Sequence, residues 1–305
     1  MSIRDRVLRG IALNRVPGFH FAGTFLEISY DKVDSADTRV SLDPGPHCTD
    51  PDGQVNIGVV AMLADIALAA AVRAALDSTS TRLATVSMHL QFTGVPMQGR
   101  LEGEGAFEGF QGDSASPQGV SRVRLASAGR TAAFGTGAFM PLAPPPGVKM
   151  HPVVTQRSGH AAPLSEEALD PAEREILRHA DDALAHADAK HAFIGRFLGY
   201  DPHRVEGGAR ATMKNGAHVG NRVGHVQGGV LVGFGAVTAA AALPATWRLS
   251  SLSAWFVSPG EGKELHAEAR VVHHGRETAV VRTEVTGVGA RRALEMMSAH
   301  ARLKP

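Results

Sequence analysis

Cysteine is nearly absent from this 305-residue chain: Cys48 stands alone. One cysteine excludes an intrachain disulfide framework and a cysteine-built zinc site. A reducing, cytoplasmic compartment fits that composition. Charge of one sign is also missing. The 31 Lys and Arg face 30 Asp and Glu, for a net charge of +1, and no basic run exceeds the Arg291–Arg292 pair. Nucleic-acid binding through a basic face is therefore not expected. Aromatics are sparse, with two Trp and two Tyr, which gives little support to an aromatic substrate pocket. The opening Met1-Ser2-Ile3-Arg4-Asp5-Arg6 leads into no apolar stretch of leader length, so no secretory signal is expected. Long hydrophobic runs are few. Residues 57–76 are apolar but carry Asp65 and Arg73; residues 228–243 contain four glycines and stop at Pro244, short of the roughly 20 residues a membrane span needs. Both read as buried core helices, and no membrane span is expected.

What is present is a repeat. At about 150 residues per domain, the length predicts two domains. Phe21-Ala22-Gly23-Thr24-Phe25-Leu26 matches Phe193-Ile194-Gly195-Arg196-Phe197-Leu198, and each is followed by Tyr-Asp, at Tyr30-Asp31 and Tyr200-Asp201. Gly53-Gln54-Val55-Asn56-Ile57-Gly58-Val59 faces Gly224-His225-Val226-Gln227-Gly228-Gly229-Val230, and Leu90-Gln91-Phe92 faces Ala254-Trp255-Phe256. The offset drifts from 172 to 164, as small changes in loops would produce. The shared order points to two copies of one unit, a fused dimer rather than a solenoid.

Each unit has the same coarse plan. A leading helix comes first; in the second copy Asp170-Pro171-Ala172-Glu173 announces it with a cap, a proline and an acid. A strand pair follows, at 24–30 and 38–42, then at 196–200 and 209–213. A Gly-rich loop leads into one long apolar helix, at 59–77 or 230–243. Four strands finish each unit, at 84–92, 99–107, 120–127 and 131–140, then at 249–257, 265–272, 278–286 and 293–303. This is an α+β layout. A helix apolar nearly all round must be wrapped on most sides, as a curved antiparallel sheet would do. The units are read as 1–142 and 165–305, joined by a linker over 143–164 whose Pro144-Pro145-Pro146-Gly147 suits an extended spacer.

Asp65 is the residue that stands out. It lies within Met62-Leu63-Ala64-Asp65-Ile66-Ala67-Leu68, on a helix that otherwise reads as buried. Burial costs a carboxylate several kcal/mol unless hydrogen bonds or a partner offset it, and raises its pKa toward the range of a useful base. A structural acid paired with Arg73, two turns on, is the plainer alternative. The equivalent residue in the second copy is Ala236, so the copies are not equivalent. The second copy instead opens its helix with Gln227-Gly228-Gly229. First-turn N–H groups lack intrahelical acceptors and sit at the positive end of the dipole, and glycine lets a substrate oxygen come close. Glycines that only allow close helix–sheet packing are the alternative there. The first copy has Ile57 in place of Gly228.

These residues resemble the hot-dog acyl-CoA thioesterases of the phenylacetate-degradation type. Their signature is Asn-x-x-Gly-x-x-His-Gly-Gly, with a catalytic Asp nine residues after the His. In the second copy Asn221, Gly224, Gly228 and Gly229 fall on it, with Gln227 for the His and Ala236 for the Asp. In the first copy Gly53, Gly58 and Asp65 fall on it, with Asp50, Asn56 and Ile57 as departures. The resemblance covers nearly the whole chain as two tandem hot-dog units forming a pseudo-dimer. It implies an active site across the interface: Asp65 from one unit, Asn221, Gln227 and Gly228 from the other, and Thr85 as the hydroxyl of the strand after the helix. Gly229, Arg222 and Asn56 are the implied substrate contacts, with Arg222 toward the CoA phosphates. The mirror site, with Ala236 against Asp50, Asn56 and Ile57, is expected to be dead. The implied reaction is hydrolysis of an acyl-CoA thioester in fatty acid metabolism, with no cofactor or metal. Homo-oligomers of such fused pairs are common to the fold.

Two other readings stand beside it. One is an acyl-CoA-binding or sensing protein without turnover; the other is a hot-dog enoyl-CoA hydratase or dehydratase, with His89 as partner to Asp65. His151, His218, His225 and the His273–His274 pair show no metal-ligand spacing on one element, and no Gly-x-Ser-x-Gly or Walker A motif occurs.

Overall fold

The computed structural model describes residues 1–16, 20–76, 81–112, 117–147, 161–189 and 191–303. Most of the expected linker, and His151, lie outside them. In chain order the first half runs α1 (Ile3–Asn14), α2 (Phe21–Phe25), β1 (Ser29–Lys32), β2 (Thr38–Leu42), α3 (Ile57–Ala74), β3 (Arg82–Phe92), β4 (Leu101–Gln111), β5 (Gln118–Ser127) and β6 (Arg130–Leu142). The second half repeats it as α4 (Pro171–His186), α5 (Phe193–Phe197), β7 (His203–Val205), β8 (Gly208–Lys214), α6 (Gly228–Ala241), β9 (Trp247–Phe256), β10 (Glu264–His274), β11 (Thr278–Thr286) and β12 (Arg292–Arg302).

The strands form one 12-stranded antiparallel sheet in the order β1-β2-β4-β5-β6-β3-β9-β12-β11-β10-β8-β7. The second six repeat the first six in reverse, so the halves join edge to edge where β3 pairs β9, with Leu90 opposite Leu252. Each half-sheet wraps its own apolar helix, α3 or α6: two hot-dog units in an α+β fold. By length and composition α3 could cross a membrane, yet 78% of it is buried within the fold.

Two contacts reveal the pseudo-two-fold axis. The aromatic motif repeated in the sequence meets itself: Phe25 packs on its equivalent Phe197 at 5.2 Å between ring centres, and the reciprocal pairs Phe21–Phe197 and Phe25–Phe193 lie at 6.1 and 6.0 Å. The central helices also cross through glycine. A Cβ on Gly229 would lie 2.3 Å from the Met62 Cα, and one on Gly233 would lie 2.3 Å from the Gly58 Cα. Met62 and Gly233 are equivalent positions, as are Gly58 and Gly229.

One expectation is corrected. Residues 24–30 and 196–200 do not each form a strand. The segments begin as the short helices α2 and α5, turn through a left-handed residue at Glu27 (φ 55°) or Gly199 (φ 75°), and reach β1 or β7 only afterwards. The phenylalanines recur every four residues, a helical spacing that buries both on one side. The capping signal at residue 170 is realised: Asp170 and Glu173 bond reciprocally across the first turn of α4, and Glu173 also receives Arg15 of the α1 C-terminus at 2.8 and 2.6 Å.

Candidate active site

Asp65 sits mid-way along α3, 7% exposed, where the helix is otherwise enclosed by apolar side chains. Its two carboxylate oxygens have separate donors. Thr85 Oγ1 on β3 donates to Oδ1 at 3.0 Å. Gln227 Nε2, from the other half, donates to Oδ2 at 2.7 Å. Arg73 is not its ion-pair partner; among the described residues no salt bridge reaches Asp65. Burial raises the Asp65 pKa to about 6, and the Thr85 and Gln227 hydrogen bonds pull the other way. The result is a carboxylate largely ionised at neutral pH yet basic enough to take a proton.

Thr85 reaches Asp65 because of a β-bulge. The core-facing residues Met88 and Leu90 sit at even positions, so strict alternation would turn Thr85 outward. The β3–β6 register skips at Val86: Ser87 pairs Ala138 but Thr85 pairs the buried Phe139. The extra residue turns Thr85 back toward the core. The second unit has the same bulge at Ser250, which turns Leu249 inward opposite His300. Leu249 is therefore the equivalent of Thr85.

Gln227 caps α6 with one end of its amide and holds Asp65 with the other. Its Oε1 accepts from the Val230 N–H at 2.9 Å, which leaves Nε2 for the carboxylate. Gly228 is the first residue of that helix. A Cβ there would stand 3.2 Å from both Asp65 Oδ2 and Thr85 Oγ1, so only glycine leaves this corner open. Asn221 organises the preceding loop, its Oδ1 accepting from Val223 and His225 N–H at 3.0 and 3.1 Å.

Asp65, Thr85, Asn221, Arg222, Gln227 and Gly228 all line one cavity of about 490 Å³. The remaining two expected contacts lie elsewhere. Gly229 packs against the α3 backbone rather than the cavity. Asn56 caps α3 from within the mirror position, Oδ1 on the Gly58 N–H and Nδ2 on Asp50. His89 faces the outside of the sheet and meets the Trp255 ring edge-on, away from Asp65. Phe139 and His20 also line the cavity, and nothing in their local spacing marks them; Tyr30, conspicuous in the sequence only as part of the repeated Tyr-Asp pair, lines it too. Arg73, weighed only as a structural partner for Asp65, lines it as well. Among the described residues no cluster of three or more His, Cys, Asp or Glu could hold a metal ion.

The comparisons agree with this architecture. Residues 218–302 match the family model described as the acyl-CoA thioesterase N-terminal domain. Among solved structures, a protein from Novosphingobium aromaticivorans DSM 12444, provisionally assigned as a thioesterase, superposes with a TM-score of 0.56 at 14% identity, covering 92% of this chain and 99% of that one. A tesB protein from Mycobacterium avium subs paratuberculosis gives 0.52 at 14% identity, with 92% and 97% covered. A conserved hot-dog protein of unknown function from Alicyclobacillus acidocaldarius gives 0.52 at 10% identity, with 91% and 96% covered. Among proteins of curated function none matches the sequence significantly. By fold, then, the chain is a double hot-dog protein. Within its second half, residues 218–302 resemble an acyl-CoA thioesterase domain, and that match supports a thioester hydrolase.

Proposed function

We propose that the chain hydrolyses acyl-CoA thioesters at one composite site between units 1–142 and 165–305, in the manner of the phenylacetate-degradation type. The observation that carries this reading is the 2.7 Å bond from Gln227 Nε2 of one half to the buried Asp65 of the other, beside the open Gly228 corner. The thioester carbonyl oxygen accepts from the Gly228 N–H at the positive end of α6, which stabilises the oxyanion as the tetrahedral intermediate forms. Asp65 either removes a proton from the attacking water or attacks the carbonyl carbon itself. Collapse expels the CoA thiolate; the water route gives the free acid directly, and the nucleophilic route gives an Asp65 acyl anhydride that water then cleaves to release the acid and restore the carboxylate. Thr85 and Gln227 keep the carboxylate aimed, and Asn221 holds the loop that presents Gly228.

The mirror position is inert on this reading. Ala236, Leu249 and Ile57 replace Asp65, Thr85 and Gly228, which removes acid, hydroxyl and open corner together. Asn56, the counterpart of Gln227, turns instead to Asp50.

Thiol release from a series of acyl-CoA thioesters tests the proposal, with Asp65→Asn as the variant. Loss of a positioned base lowers kcat by about 10²–10⁴-fold. Wild-type rates in the variant would sink the assignment of Asp65. Tight acyl-CoA binding by the wild type with no thiol released would replace hydrolysis by sensing.

A further inference from the structure

The cavity has a second, oppositely charged pole that hydrolysis of a plain acyl chain does not use. Arg73, near the C-terminal end of α3, and Arg222, in the loop before α6, both line it, as does Tyr30 from β1. All three are half-buried. Arg73 Nη1 is tethered to the Thr81 carbonyl at 3.1 Å. The electrostatics agree with a shared cavity. The Arg73 pKa is lowered by desolvation and then by Arg222. The Tyr30 phenol is raised chiefly by desolvation, drawn down by Arg222 and Arg73 and pushed up by Asp65.

The stretch between the poles is apolar. Ile66, Ala69 and Ala70, on the cavity side of α3, lie between Asp65 and Arg73, with Leu83, Phe139 and Leu231 around them. Asp65 and Arg73 are eight residues apart, or about 12 Å along the helix axis, which an extended chain of roughly six to eight carbons spans once the reach of the arginines is subtracted.

We propose that Arg73 and Arg222, with Tyr30, bind a carboxylate at the far end of the acyl chain, so that the substrates are ω-carboxyacyl-CoA thioesters of about six to eight carbons. The inference rests on the thioesterase reading and names the substrate class of that same site. Two guanidiniums lining one cavity draw an anion to that end of it, and a carboxylate matches their planar donor forks. The competing anion is a CoA phosphate. To bring one here, the pantetheine arm would have to lay its two amides along Ile66, Ala69, Ala70, Leu83 and Phe139. Those side chains offer no hydrogen-bond partner, and buried amides left without one are costly. A methylene chain meets no such penalty on that wall.

The experiment compares kcat/KM for matched pairs, hexanedioyl-CoA against hexanoyl-CoA and octanedioyl-CoA against octanoyl-CoA. It uses the full chain and its Arg73→Gln, Arg222→Gln and Arg73→Lys variants, with inhibition by free CoA measured in parallel. The ratio within each pair is the readout, because it cancels general losses of activity or folding. In the wild type the ω-carboxyl thioester is favoured by about tenfold to hundredfold, the worth of charge-assisted hydrogen bonds to one carboxylate. Either glutamine variant collapses that ratio toward one, and lysine keeps part of it. An unchanged ratio in both variants overturns the proposal, as does a wild-type preference for the plain chain. So does free CoA losing affinity by the same factor as the substrates, which assigns the arginines to phosphate. If the wild type cleaves none of the four thioesters, the hydrolase reading fails on its own. Equilibrium binding of the same pairs then decides: preferential binding of the ω-carboxyl thioester that Arg73→Gln abolishes supports the pole, and equal affinities overturn it.

Discussion

Replacing Thr85 with valine removes one of the two donors on Asp65 at nearly constant shape. The hydroxyl sits 3.0 Å from Oδ1, and its hydrogen bond favours the charged form of a carboxylate that burial has already pushed up to about 6. A hydrogen bond to a charged group is worth about 1.5–3 kcal/mol, so its loss raises the Asp65 pKa by about one to two units. At pH 7 the ionised fraction then falls from about nine-tenths to between about a half and a tenth. The assay is kcat/KM against pH for one good acyl-CoA substrate, read by thiol release. The wild-type profile rises with pH through about 6 as Asp65 loses its proton. In Thr85→Val the same limb moves upward, while the high-pH plateau changes much less than the rate at pH 6. A limb that stays in place or moves downward would refute both the base role and the hydrogen-bond account of its pKa.

Three further outcomes follow from the same geometry. Asp65→Asn raises stability at pH 8 by up to about 3 kcal/mol. The folded carboxylate titrates above its ordinary 3.8, so its ionised form opposes folding as pH rises through about 6; the gain vanishes below the unfolded value, and denaturant melts at pH 8 and 3.5 check this. Ala236→Asp places an acid in the mirror position against Leu249 and Ile57, which offer no side-chain donor; the unfolding free energy from urea titration should fall by several kcal/mol, with no gain in thiol release. Gly233→Ala puts a methyl group 2.3 Å from the Gly58 Cα at the helix crossing, so thermal unfolding should show a loss of about 1–3 kcal/mol or more, and activity should fall with it because the crossing aligns Asp65 with Gln227.

The parts legible in the sequence are those encoded locally. The repeated aromatic motif, the two apolar helices, the capping signature at Asp170 and the glycines opening α6 all announce themselves through short-range pattern, and the lone acid at residue 65 is conspicuous among apolar neighbours. Pattern also misled where two periods compete. Phe25 falls within the expected strand at 24–30, although its spacing of four from Phe21 places both on one side of a helical turn.

The sequence by itself determined that there are two copies of one unit and that only one copy has a buried acid on its central helix, because burial pattern and chain order are local properties. Tertiary structure decided what meets that acid. Gln227 lies 162 residues away and reaches it only because β3 joins β9 and α3 crosses α6 at glycine. Thr85 faces it only because a single extra residue at Val86 shifts the pleat, and Arg73, Arg222 and Tyr30 converge on one cavity from three separate elements. Such distances and directions come from how the sheet closes around its helices, and no local spacing carries them.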